Sequence, residues 1–368
     1  MDGGAPLRRV AWIAVLLGGC GWDLTTSDGL VWLTTQRHVG PDGRIPIVVD
    51  VPANATSLQV VGEMGAGAQG YIETVTDASG DVPFVAKETW DGVHNRTNAG
   101  FSSGVVTMDW PIAESDGPLI AGTLRFDLRS ADHGVDVPLT IAIKQDDDLT
   151  RGVLAVDLVY AGTLEGDPAV VAATEAALDH WRDIYAAIGI ELDVVEREWD
   201  GASKLTSPGY GDADVYREAL ADKPPRSVSV LVIDRVTDVA GVFGVSGGIP
   251  GSLVPTDRSV VSVSVKEHAG RDGLFSAAEI QLYGETMAHE VGHYLGLFHP
   301  AELPVGGVVK SWDALDDTPE CLTGNDCDAR LGTNLMYPTP LCDTPPCTPQ
   351  ANVTRQQEGI VQRYVGVQ

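Results

Sequence analysis

Residues 289–299, His-Glu-Val-Gly-His-Tyr-Leu-Gly-Leu-Phe-His, combine residue types and spacings suited to binding a metal ion and using it in catalysis. His289 and His293 are four residues apart, so on an α-helix they lie one turn from each other and can direct both imidazoles to one ion. Gly296 can end that helix in a left-handed backbone conformation, after which the chain can turn and bring in His299 as third ligand. Three imidazoles leave one corner of a tetrahedral zinc ion for water, which is typical of catalytic zinc sites.

Glu290 directly follows one of these ligands. On the same helix its side chain is rotated by about a quarter turn, so we expect it to face the water on the metal and not the metal itself. Zinc lowers the pKa of such a water toward about 7, and Glu290 can take its proton as general base and pass it to the leaving amine. The alternative is an amphipathic core helix with histidines at this spacing by chance, which the additional glycine and third histidine make much rarer.

The stretch resembles the H-E-x-x-H-x-x-G-x-x-H signature of the metzincin metallopeptidases. The resemblance implies an α+β catalytic domain with a mixed sheet, an active-site helix and a loop-rich C-terminal half. It also implies a methionine turn, which fits residues 334–338, Asn-Leu-Met-Tyr-Pro, with Met336 as a hydrophobic floor below the zinc. Ordinary core packing is the alternative for Met336. Because tyrosines near this turn assist the transition state in some metzincins, Tyr337 is a candidate for that role.

Among metzincins, the chain is most similar to the pappalysin family. Residues 312–321, WDALDDTPEC, resemble its G-D-x-V-x-D-T-P segment, and residues 353–357 resemble its closing F-T-x-x-Q stretch. Tyr337 after the turn methionine is instead similar to the matrixin version. Pappalysins bind calcium in the first of these segments, which implies Asp313 and Asp317 as candidate Ca²⁺ ligands. Acidic side chains of a solvated loop are the alternative.

Residues 1–20 have the composition of a targeting segment. Arg8 and Arg9 precede an apolar run that is too short to span a bilayer, and the small residues Gly18 and Gly19 lead to Cys20. This resembles a bacterial lipoprotein signal in which Cys20 is lipidated, and an ordinary secretory signal is the alternative. We therefore expect an exported protein that is either anchored to a membrane through Cys20 or secreted.

The remaining cysteines and the net charge agree with export. Four cysteines lie after the zinc motif, an even number that favours disulfides in an exported protein, with a second metal site as the alternative. They are Cys321, Cys327, Cys342 and Cys347, and their pairing is left open. The formal net charge of -28 over 368 residues repels phosphate, which argues against nucleic acid or anionic lipid as a partner.

Apolar alternation predicts an all-β sandwich over residues 42–146, preceded by a tether at residues 21–41. The predicted strands are Ile45–Val51, Ser57–Val61, Leu119–Leu128 and Val137–Lys144. Asp146, Asp147 and Asp148 are interpreted as a solvated linker. The role of the sandwich is left open between a binding module, a prodomain and a spacer.

The metallopeptidase domain is predicted over residues 152–368, with the zinc helix from Ala277 to Leu297 and Ser276 as its N-cap. The alternating Ser259–Val265 segment is interpreted as the strand at the edge of the cleft that pairs with an extended peptide, an interior strand being the alternative. His268 is interpreted as a surface residue. Further strands are predicted at Gly152–Tyr160, Ile190–Val195 and Ser227–Ile233, and a helix at Val170–Ile188.

The function predicted from these features is that of an exported zinc endopeptidase acting on proteins or peptides. The alternative is a surface adhesion or binding lipoprotein in which the zinc only stabilises the fold.

Overall fold

The computed structural model describes residues 22–366 except 28, 66, 97–103, 147, 202–203, 206–212, 237–240, 257, 271, 304–306 and 342–347. Cys20, Cys342 and Cys347 therefore lie outside the described residues. Among the described residues, no helix has both the length and the apolar character needed to cross a bilayer.

The N-terminal part is built almost entirely of strands. They are β1 (Asp23–Ser27), β2 (Leu30–His38), β3 (Arg44–Val51), β4 (Ser57–Glu63), β5 (Gly70–Thr76), β6 (Phe84–Val85), β7 (His94–Asn95), β8 (Val105–Trp110), β9 (Gly122–Ser130) and β10 (Asp136–Lys144), with one short helix, α1 (Ala86–Asp91), after β6.

Two antiparallel sheets face each other in this part, in the orders β1-β2-β10-β4-β8 and β3-β9-β5-β6. Strand β3 shows why: its alternate residues Ile45, Ile47, Val49 and Val51 are buried, while the residues between them are exposed. These side chains share one core with residues of the five-stranded sheet such as Leu58 and Ile141. The predicted sandwich is thus present, but it begins earlier than residue 42.

The prediction of a tether at residues 21–41 is wrong for most of that range. Strand β1 pairs with β2, and β2 pairs antiparallel with β10 from His38 opposite Asp136 to Leu30 opposite Lys144. The segment is ordered because its backbone groups are hydrogen-bonded in the sheet and Leu33 is buried in the sandwich core.

The second part of the chain contains both strands and helices. They are β11 (Gly152–Ala161), α2 (Pro168–Ala186), β12 (Ile190–Trp199), β13 (Lys204–Leu205), α3 (Ala213–Ala219), β14 (Ser227–Ile233), β15 (Arg235–Val236), β16 (Gly244–Ser246), β17 (Val260–Ser264), α4 (Val265–His268), α5 (Ala277–Tyr294), β18 (Trp312–Asp313), α6 (Gly324–Leu331) and α7 (Arg355–Tyr364).

Its main sheet has the order β12-β11-β14-β17-β16, in which β16 alone runs antiparallel. The edge strands of this sheet are β12 and β16, and the one beside α5 is β16. The interpretation of Ser259–Val265 as the edge strand is wrong, because β17 has a neighbour on both sides and all five of its residues are buried. Its serine-valine alternation arises from two buried faces, and the serines are enclosed along with the valines.

The sandwich sheet β1-β2-β10-β4-β8 packs its outer face against the second part of the chain. Leu30, Val61, Val105 and Ala142 belong to the same apolar core as the helices and sheet of that part. Polar groups on this face are paired across the boundary, since the Thr107 hydroxyl donates to the Pro250 carbonyl at 2.8 Å. The sandwich is consequently covered on this side by the remainder of the chain.

Candidate metal centre

Helix α5 carries the first two predicted ligands. It begins in a capping box, in which the Ser276 hydroxyl accepts from the Glu279 amide and the Glu279 carboxylate accepts from the Ser276 amide. Its packed face includes Met287 and Val291, both fully buried. This packing fixes the rotation of the helix and therefore the direction of the histidines.

The helix ends earlier than predicted, at Tyr294 and not Leu297. Gly296 has a φ of 100°, a left-handed conformation that favours glycine. The Leu297 amide donates back to the Gly292 carbonyl at 2.9 Å, which closes the last turn. The chain then reverses toward the helix and brings His299 to the two helical histidines, as the sequence predicts.

The Nε2 atoms of the three histidines converge. His293 Nε2 lies 3.0 Å from His299 Nε2, and His299 Nε2 lies 3.3 Å from His289 Nε2. Ligand nitrogens bound at about 2.0–2.1 Å in a tetrahedral zinc site stand roughly 3.3 Å apart. Among the described residues, these three form the one group of His, Cys, Asp or Glu side chains able to hold a metal ion.

The outer nitrogens determine which ring nitrogen carries the proton. His289 Nδ1 lies 2.7 Å from the Leu335 carbonyl and His293 Nδ1 lies 2.6 Å from the Leu297 carbonyl. A carbonyl only accepts, so each Nδ1 donates a proton and each Nε2 presents a lone pair. His299 Nδ1 lies 3.2 Å from both carboxylate oxygens of Glu302, which have the same effect.

Burial keeps the His289 and His293 rings neutral. Burial and, to a lesser degree, the neighbouring His299 ring lower the pKa of His289 to about 3. The same causes place the pKa of His293 well below its usual range. Three imidazoles whose Nε2 atoms converge on one point fit a zinc ion, which takes imidazole nitrogens as ligands.

Glu290 lies beside this centre, on the side of the edge strand. Its side chain is buried, and the backbone amide of Ser246 in β16 hydrogen-bonds to its carboxylate. Burial raises the pKa of Glu290 to about 8, against the opposing effect of that amide. The edge strand approaches closely here, because a Cβ built on Gly244 would lie 2.7 Å from Cγ of Glu290.

Met336, the methionine of the predicted methionine turn, packs against the zinc helix. It is fully buried, and its sulfur would lie 2.7 Å from a Cβ built on Gly292, so the turn packs directly against the zinc helix. The Leu335 carbonyl of the same turn accepts from His289. Residues 335 and 336 therefore pack against the zinc helix and orient the imidazole of His289.

A pocket of about 250 Å³ opens next to the metal centre. It is lined by the segment leading into the edge strand, by one side of α5 and by the residues after Met336. Its lining includes Phe243, Gly244, Thr286, His289, Glu290 and Tyr337.

Tyr337 lines this pocket, but its hydroxyl is already engaged by the Asp328 carboxylate at 2.5 Å. Burial and the Asp328 carboxylate raise the pKa of Tyr337. The contact directs the phenol toward α6, and its role in the transition state stays a prediction.

Asp313 and Asp317 each accept hydrogen bonds from neighbouring groups of the protein, and calcium binding by them stays a prediction. Asp317 accepts from the Thr354 hydroxyl and the Gln356 amide, so it caps α7. Asp313 accepts from Thr318 and Leu315 through Oδ1, while its buried Oδ2 has no hydrogen-bond partner. Within the described residues no third acidic, imidazole or thiolate side chain joins them in a metal-binding group.

One of the predicted disulfides can be assigned. Cys321 and Cys327 form a disulfide bond next to the buried Trp312, whose indole donates to the Cys321 carbonyl at 3.1 Å. The bond belongs to the same small core as Tyr337, close to the methionine turn. Cys342 and Cys347 lie outside the described residues, and their participation in a disulfide stays a prediction.

The prediction that His268 lies at the surface is wrong. His268 is 1% exposed and contacts both the zinc helix and the segment before the edge strand. Glu302, which accepts from His299, was not predicted, and its only sequence signal is its position three residues after His299.

No protein-family model and no curated protein matches this chain. Among solved structures, metalloproteinase-II from Bacteroides fragilis is 15% identical, with 44% of this chain and 52% of that chain covered and a TM-score of 0.28. This chain thus spans about half the length of that metalloproteinase. A Bacillus subtilis protein is 13% identical over 76% of this chain and 83% of its own, with a TM-score of 0.16. At these TM-scores neither likeness bears on function, which is argued from the geometry of the site.

Proposed function

We propose that this protein is a zinc-dependent endopeptidase, with His289, His293 and His299 as zinc ligands. The observation that carries the proposal is the convergence of three Nε2 lone pairs, 3.0 and 3.3 Å apart for the two closest pairs, with every outer nitrogen anchored by an acceptor. Zinc bound there would supply a Lewis acid that polarises a carbonyl and lowers the pKa of water toward about 7.

Glu290 is proposed as general base and then general acid. Its carboxylate lies at the edge of the pocket that His289 also lines. It can accept a proton from water and return it to the leaving amine, and a pKa near neutrality suits both steps. The Ser246 amide holds the carboxylate so that proton transfer does not require it to reorient.

An extended peptide is the proposed substrate. Strand β16 is short and has β17 on one side only, so its other edge can pair with a peptide backbone. The pocket beside Glu290 would then receive a side chain next to the scissile bond. Export, with or without a lipid on Cys20, remains part of the proposal and is supported by the composition of residues 1–20.

The test is proteolysis by the purified full chain with casein as substrate. We expect wild type to cleave casein, a zinc chelator to abolish cleavage and added zinc to restore it. Glu290→Gln should lower the rate by about 10²–10⁴-fold, since it removes a general base, and should leave one zinc per chain. Bound zinc with no cleavage of casein or of a random peptide library by wild type would refute the enzymatic proposal and favour a structural zinc site.

A further inference from the structure

His268 lies in a buried junction of three elements, outside the set of metal ligands. It is the last residue of α4 and is 1% exposed. Its Nδ1 lies 2.7 Å from the Ser264 carbonyl, and its Nε2 lies 3.0 Å from the Thr286 hydroxyl on the zinc helix. Both ring nitrogens are therefore engaged, one with the end of β17 and one with α5.

The faces and edges of the ring are also in contact. His268 stacks on Tyr283 of α5, with ring centroids 4.5 Å apart and an angle of 26° between the planes. Phe243 meets it nearly edge-on, at 5.1 Å and 61°. Because the Ser264 carbonyl only accepts, Nδ1 carries the proton, and Nε2 shares the proton of the Thr286 hydroxyl with the Leu282 carbonyl, which lies 2.9 Å from that hydroxyl. Burial lowers the pKa of His268 to about 4, so the ring stays neutral.

The segment 241–246 is held from the same side by α4 and β17. The Gly241 amide donates to the Glu267 carboxylate at 3.1 Å, and the Ser264 amide donates to the Phe243 carbonyl at 2.8 Å. His268 extends these contacts to the zinc helix through Thr286 and Tyr283, in addition to the hydrogen bond between the Ser246 amide and Glu290. The His268 ring therefore contacts Phe243 on one side and Thr286 on the other.

Thr286 and Phe243 both line the pocket beside the metal centre. Thr286 is one helical turn before Glu290, and a Cβ built on Gly244 would lie 2.9 Å from Cγ2 of Thr286 and 2.7 Å from Cγ of Glu290. The width of the pocket is thus set by the distance between segment 241–246 and α5, which is the distance that His268 bridges.

We propose that His268 is a positioning residue that fixes the Phe243 wall of the pocket against the zinc helix and so selects which substrate side chain fits beside the scissile bond. This inference rests on the proposed function. His268 touches neither the ligands nor the pocket itself, so it acts through Phe243 and Thr286. Removing the ring leaves space behind Phe243, which can then retract and enlarge the pocket.

The first readout is independent of activity. In His268→Ala, amide hydrogen exchange of residues 241–246 should accelerate by about tenfold or more, while zinc content stays at one per chain. His268→Phe keeps an aromatic ring of similar size but has no hydrogen bond to Thr286, so its exchange rates should lie between those of wild type and His268→Ala. It serves as the test variant if His268→Ala does not fold. His38→Ala, a substitution of an exposed histidine in the sandwich, is the matched control.

The second readout is cleavage of two peptide series that differ only in the side chain following the scissile bond. The ratio of kcat/KM for a bulky over a small side chain should rise by about tenfold or more in His268→Ala, mainly through KM, and stay constant in His38→Ala. Unchanged exchange and an unchanged ratio in both His268 variants would overturn the inference. A wild type that cleaves nothing would instead refute the proposed function, and the exchange data would still decide whether His268 positions the segment.

Discussion

At the scale of single residues, buried polar atoms without partners are the most informative feature of this chain. The three Nε2 atoms of the histidine cluster face one another with lone pairs and no proton between them, an arrangement that is repulsive unless a cation lies there. Asp313 presents the opposite case, a buried acid whose Oδ2 has no partner among the described residues. The histidine cluster predicts a bound metal ion, and Asp313 predicts a stability that depends on pH.

Asp313 should make the stability of the protein depend on pH. Burial raises the pKa of Asp313 to about 7, from an ordinary value near 3.8. The folded state therefore binds more protons than the unfolded state between about pH 4 and 7, and the free energy of unfolding should fall as pH rises through that window.

Asp313→Asn cannot ionise and should remove this decline. Relative to wild type, the variant should gain a few kcal/mol between pH 4 and pH 8, since each unit by which the pKa is raised corresponds to about 1.4 kcal/mol. Urea unfolding at both pH values measures it, with Asp316→Asn, a neighbouring exposed acid, as control. Parallel pH profiles for wild type and Asp313→Asn would contradict the account.

At the scale of elements, the metal site depends on how the zinc helix ends. Gly296 has a φ of 100°, and a Cβ at this position would also lie 3.2 Å from the Asp109 carboxylate. Alanine should therefore cost about 1–2 kcal/mol of stability and displace His299.

Gly296→Ala should accordingly weaken zinc binding, measured by competition with a chromophoric chelator. Gly324→Ala in α6 is the matched control, because a Cβ there meets nothing within 4 Å. A zinc affinity equal to wild type in Gly296→Ala would show that the turn does not set the position of His299.

Element-scale features differed in how far the sequence could predict them. The ligands and their helix were predictable because the motif is local, and a helix and one glycine suffice to position three histidines. The edge strand was not, because Ser259–Val265 has the alternation of a half-buried strand and only its two neighbours show it to be interior. His268 was missed because its surroundings come from three elements that sequence spacing does not relate.

At the scale of the whole molecule, the sandwich and the second part of the chain share a buried boundary. Gln59 in β4 joins them: its side-chain oxygen accepts from the Leu253 amide at 2.9 Å, and its nitrogen donates to Asp109 at 2.7 Å. Lys144 donates to the Gln362 and Val365 carbonyls at 2.9 Å each. The loop containing Leu253 follows the edge strand β16. The sandwich therefore holds this loop through Gln59 and Thr107.

None of this boundary could be read from the sequence, because Gln59 and Leu253 are 194 residues apart. The alternation of apolar residues predicts a sandwich but does not show what covers its outer face. The polar residues Gln59, Thr107 and Asp109 on that face are all buried. Strand β2 was taken for tether for the same reason, since its partner β10 lies about a hundred residues away.

The shared boundary predicts that the sandwich is not released. A protease site placed in the full chain within residues 145–151 and then cut should leave two fragments that co-elute on size exclusion and keep their zinc. Co-elution is expected because separation would expose the apolar core containing Leu30, Val61, Val105 and Ala142. Dissociation of the fragments, with a rise in proteolysis, would show instead that the sandwich is a removable prodomain.

X-ray absorption at the zinc edge of the purified full chain tests the central claim most directly. We expect one zinc per chain with three nitrogens and one oxygen at about 2.0–2.1 Å, and loss of one nitrogen in His299→Ala. Substoichiometric zinc, or a sulfur shell at about 2.3 Å indicating cysteine ligands, would contradict it.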